Sequence, residues 1–72
     1  MFKVYEIVNC NGVRIEHIVA TDERQALCLY LMNHEELIDM MLWKSTDYSG
    51  GWRLAEYDRE DEYLCAREAK RY

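Results

Sequence analysis

The sequence predicts an α+β fold: an antiparallel sheet (a β-hairpin plus a third strand) with helices packed on one face, in the order ββααβα. Three observations carry this. Two runs rich in β-branched and aromatic residues, "FKVYEIVN" and "VRIEHIVA", flank Asn11-Gly12, and Asn-Gly between such runs is the strongest short-range hairpin signal. The following stretch, "ATDERQALCLYLMNH", switches to a helical spacing of apolar residues. The chain has no proline and only three glycines, so regular structure can run through nearly all of it.

A two-residue turn at Asn11-Gly12 opposes Cys10 to Val13, Val8 to Ile15, Glu6 to His17 and Val4 to Val19. A three-residue loop with a bulge would instead oppose Glu6 to Glu16, a like-charge pair that costs stability. The first register is therefore preferred. It places Phe2, Val4, Val8, Val13, Ile15 and Val19 on one buried face.

The first helix starts at Thr21, whose hydroxyl suits an N-cap, with Asp22 and Glu23 at the positive end of the dipole. Ala26, Leu27, Tyr30 and Leu31 form its core-facing stripe, and His34 ends it. Asn33 followed by Glu36 is a capping arrangement, which predicts a second helix from His34 to about Lys44. "STDYSGG" reads as a loop and "WRLAEY" as the third strand. The tail, "DREDEYLCAREAKRY", has acids at its front and Arg67, Lys70 and Arg71 at its back. Good helix formers and dipole compensation favour a helix there. The rival is a strand at "EYLCA", hairpinned through "DRED".

Seventy-two residues make one small domain, residues 1–72, near the lower limit for a chain without staples. Net charge is −5, from 14 acids against 9 bases, which disfavours binding to phosphate backbones and favours cationic partners. Cys10, Cys28 and Cys65 are an odd, scattered set, as in a reducing compartment where thiols serve as small apolar side chains. Lys3 and Glu6 interrupt any leader-like apolar run. No apolar run approaches the roughly 20 residues that span a bilayer. The expected location is the cytoplasm, without membrane contact.

Chemistry-bearing patterns are weak. His17, His34 and the cysteines lack metal-ligand spacing, and His17 reads as the cross-strand partner of Glu6. Cys28 and His34 lie six residues apart and face different sides of a helix. Glu56 with Asp58 could exchange protons only in a cleft that raises a carboxyl pKa. Gly50-Gly51 lacks the length and the lysine of a phosphate loop. The expectation is a protein that is not an enzyme, with no cofactor, no metal and no direct nucleic-acid contact.

Two surface features remain. Glu56, Asp58, Glu60, Asp61 and Glu62 form the densest charged tract. It reads either as a solvated turn before a helix or as an imitation of a phosphate backbone presented to a basic protein. "LIDMMLW", residues 37–43, is apolar at six of seven positions. As a helix it would be apolar over more than half its girth, beyond what a core-facing stripe needs. Methionine suits adaptable contacts and tryptophan is enriched at binding hot spots. Met40, Met41 and Trp43 are thus candidate protein-binding residues, unless the third strand and the tail cover them.

In size, acidity and the order "FKVYEIVN", "NG", "VRIEHIVA", "TDERQAL", the chain resembles small proteins of phages and mobile elements, including anti-CRISPR inhibitors. That resemblance implies a stoichiometric inhibitor of a host nuclease complex. The leading expectation is a non-enzymatic protein-binding module, with a basic nucleic-acid-binding protein as one partner. The alternative is a homodimeric structural or regulatory accessory protein.

Overall fold

A computed structural model describes residues 1–37, 39–44, 51–56 and 62–69, with the backbone alone at positions 43 and 44. Its elements are β1 (Lys3–Asn9), β2 (Arg14–Ala20), α1 (Glu23–Met32), a 3-10 turn (Glu35–Leu37), β3 (Met40–Lys44), β4 (Trp52–Glu56) and β5 (Tyr63–Glu68). The five strands form one antiparallel sheet in the order β2-β1-β5-β4-β3. The chain leaves β2 at one edge and enters β3 at the other, so α1 must cross the sheet between them. It lies against all five strands.

This corrects the expected ββααβα order. The second predicted helix is replaced by the short 3-10 turn and strand β3. The apolar residues Met40, Met41 and Leu42 are then divided between two faces. In a strand, alternate side chains take opposite faces, and Met40 and Leu42 pack against the core while Met41 points away and is half-exposed. The tail forms strand β5 in place of a helix, the rival reading of that segment. It fills the gap between β1 and β4, and hydrogen bonding on both edges outweighs the small differences in helix propensity among its residues.

The hairpin contains a second correction. The Gly12 amide donates to the Asn9 carbonyl at 2.9 Å and the Asn9 amide to the Val13 carbonyl at 3.0 Å. The loop is therefore the three residues Cys10, Asn11 and Gly12. Gly12 alone takes positive φ, +80°, and the Asn9 side chain accepts from the amides of Asn11 and Val13. Val8 accordingly opposes Arg14, neither Val8–Ile15 nor Cys10–Val13 forms, and a bulge beyond Ile7 restores Glu6–His17 and Val4–Val19. The bulge absorbs the shift that would have set Glu6 against Glu16.

The core also lies on the opposite face of the hairpin from the expected one. Tyr5, Ile7, Ile18 and Ala20 meet Ala26, Leu27 and Tyr30 of α1, with Leu54 and Leu64 beneath. Phe2, Val13, Ile15 and Val19 are exposed, Val4 is half-buried, and only Val8 of the predicted set is buried. The N-cap is Asp22 in place of Thr21: its carboxylate accepts from the Gln25 amide at 2.8 Å. Gln25 Oε1 in turn accepts from the Thr21 amide and hydroxyl. Two otherwise orphaned donors at the helix start are satisfied in this way.

Gly12→Val should lower stability by about 1–2 kcal/mol, because a side chain resists the left-handed region. A Cβ there would touch nothing within 4 Å, so the cost is in the backbone. Thermal melts should show a midpoint roughly 5–15 °C lower, with Gly12→Asn milder because asparagine tolerates that region. An unchanged midpoint for the valine variant would contradict the turn geometry.

Candidate functional site

With α1 on one face, the sheet's second face is set by strand alternation and register. Val4, Glu6 and Val8 of β1 stand on it beside Val19, His17 and Arg14 of β2. On the other side follow Arg67, Cys65 and Tyr63 of β5, then Arg53 and Ala55 of β4 and Met41 of β3.

Its centre is Glu6, a charged residue only 8% exposed. The Arg67 Nε–H donates to Glu6 Oε1. Arg14 and His17 approach Glu6 Oε2 at 3.9 and 3.8 Å. A buried carboxylate needs such partners, since an unpaired charge away from water is costly. The two arginine side chains stay more than half exposed, so Glu6 holds them in place at the surface. One row further, the Arg53 guanidinium stacks on the Tyr63 ring at 4.1 Å, an attraction between cation and π-face. Burial pushes the Cys65 thiol pKa up, against the pull of Arg53 and Arg67. That thiol is held protonated, the opposite of an activated nucleophile.

Apolar residues frame this charged centre. Val8 and Ala55 are buried, whereas Val19 is 58% and Met41 49% exposed. Phe2, just before β1, is exposed as well. The face combines fixed guanidinium donors with adaptable apolar area, which suits recognition.

The predicted site residues are dispersed. Met40 turns to the core side and opposes Glu56 at the end of β4. Met41 joins the second face, and Trp43 opposes Arg53 in register within β3. Glu62 precedes β5 and is exposed, and with Met40 it lines a shallow cavity of about 340 Å³ beside Cys10 and Asn11. Asp58, Glu60 and Asp61 lie outside the described residues. Glu56, the first acid of the tract, ends β4, where a helix start was expected to follow.

Sequence reasoning paired Glu6 with His17 but missed Arg14 and Arg67. Arg67 read as compensation for a helix dipole. Its true neighbour lies 61 residues away, and only strand order could reveal it. The second histidine makes a separate polar site: His34 Nε2 lies 3.4 Å from Glu16 and Nδ1 3.1 Å from Glu36. The Glu36 carboxyl is held below its usual range by its own backbone amide and by His34.

Among the described residues, no group of three or more His, Cys, Asp or Glu side chains is placed to hold a metal ion. No helix among them is long and apolar enough to cross a membrane. No known protein family, curated protein or solved structure shows significant similarity to the chain.

Proposed function

We propose that this protein is a non-enzymatic protein-binding module that contacts its partner through the sheet face opposite α1. The observation that supports this is the unequal treatment of the two faces. One carries the core and its helix, while the other leaves Val19 and two anchored guanidinium groups exposed around a buried carboxylate, with Met41 exposed on the far edge strand. Arginine beside exposed apolar area, here Val19, is a common composition of interface centres. The acidic tract supports this contact less well, since Glu56 is half-buried opposite Met40. The ββα start and net charge of −5, shared in outline with small phage proteins, support a stoichiometric inhibitor acting in a host cytoplasm as the class of activity.

The test compares two single variants in affinity capture from a candidate host lysate. Val19→Asp places a charge on the second face, whereas Met32→Asp alters an exposed position on α1. The expected result is a partner retained by the wild type and by Met32→Asp but lost from Val19→Asp. A loss of about 2 kcal/mol or more marks a hot spot. A partner held equally by all three forms would defeat the reading. A wild-type dimer by light scattering, converted to monomer by Val19→Asp, would establish the homodimeric alternative.

A further inference from the structure

Charge is distributed unevenly between the surfaces. The chain carries 14 acids against 9 bases. Yet on the second face two guanidinium groups, those of Arg14 and Arg67, converge on one carboxylate, Glu6. An acidic protein has thus gathered cationic side chains on one side of its sheet.

Glu6 is the device that keeps them there. Arg67 uses Nε for the Glu6 bond, which leaves its two terminal nitrogens to address something else. Arg14 stands 3.9 Å from Glu6, within ion-pair distance but beyond a hydrogen bond, so the carboxylate orients its charge without consuming its donors. The two arginines come from strands on either side of β1 and oppose residues two apart on it, which places their backbones about 12 Å apart. Beside Glu6 and His17 the same face carries Val4, half-buried, Val8, buried, and Val19, exposed.

Resting on the reading of this face as the binding surface, we propose that its occupant is an acidic segment of a partner protein, with carboxylates set among apolar residues. Guanidinium forks match carboxylates in shape as well as charge. Exposed Val19 and half-buried Val4 favour apolar side chains beside those carboxylates, a requirement that a bare polyanion does not meet. A nucleic acid is disfavoured by the rest of the molecule, because net charge of −5 repels a phosphate backbone at long range. A short acidic segment docked face-on can satisfy the arginines while staying clear of the other carboxylates.

The experiment titrates isotope-labelled protein with three probes and follows backbone amide shifts. The probes are a short peptide alternating glutamate with valine, its lysine–valine counterpart, and a single-stranded oligonucleotide. The glutamate peptide is expected to perturb amides of β1, β2 and β5 around Glu6, Arg14 and Arg67, and to weaken as salt rises. Arg14→Gln combined with Arg53→Gln keeps the Arg67–Glu6 bond and should lower that affinity roughly tenfold. Preference for the lysine peptide on the same amides would overturn the acidic partner while sparing the face as an interface. Equal or tighter binding of the oligonucleotide there would overturn it in favour of nucleic acid. Shifts confined to α1, or none with any probe, would overturn the face itself. An unaltered affinity in the double variant, with its amide spectrum otherwise native, would remove the arginines from the account.

Discussion

Leu27→Ala is expected to leave the protein largely unfolded. Leu27 is fully buried on the one helix that spans the sheet, against Tyr5, Ile7, Leu54 and Leu64. Large-to-small changes at such sites cost about 2–5 kcal/mol, from lost transfer energy plus the cavity that remains. A core in a chain of this size rarely supplies more than about 3–5 kcal/mol, so one cavity consumes most of the margin. The effect should be large because α1 is bound to the sheet by few residues: Ala26, Leu27 and Tyr30 are its buried positions. Circular dichroism should show a lost or strongly lowered transition, while Met32→Ala, at an exposed position on the same helix, melts as wild type. A cooperative, unshifted melt for Leu27→Ala would mean that α1 does not dock through this residue.

The parts legible in sequence were those decided by neighbouring residues. The hairpin, α1 and the strand at "WRLAEY" each carry their own signal, in turn chemistry, capping or alternation. The misread parts depend on distant ones. "LIDMMLW" is short and apolar, and periodicity cannot separate a buried strand from a helix in such a run; pairing with β4 decides it. The tail is rich in helix formers, but the sheet leaves a vacancy between β1 and β4 that only this segment fills. The inverted hairpin face has a related origin. β1 is flanked on both edges and buried on both faces at Tyr5, Glu6, Ile7 and Val8, so alternation within it favours neither side. α1 chooses the side. Once it covers Tyr5 and Ile7, the valines and Glu6 fall on the second face, and a site composed of β1, β2 and β5 becomes visible.

The Glu6 cluster itself should prove costly to break by halves and cheap to remove whole. Arg67→Leu leaves a buried carboxylate with Arg14 and His17 only at ion-pair distance. The loss of its hydrogen bond should cost about 1–3 kcal/mol, nearer the lower end because the guanidinium is more than half exposed. Combining it with Glu6→Leu removes the carboxylate that needed a partner and adds apolar surface beside Val4 and Val8. Buried ion pairs replaced by well-packed apolar residues are often neutral or more stable, so the double variant should recover at least wild-type stability in denaturant unfolding. It should also lose its response to the glutamate–valine peptide, because Arg14 is no longer held by a neighbouring charge. Recovery of stability with loss of binding would show that the fold tolerates Glu6 for the sake of the surface it organises. If the double variant instead melts below Arg67→Leu alone, the cluster is a structural requirement of the sheet, and its role in recognition falls.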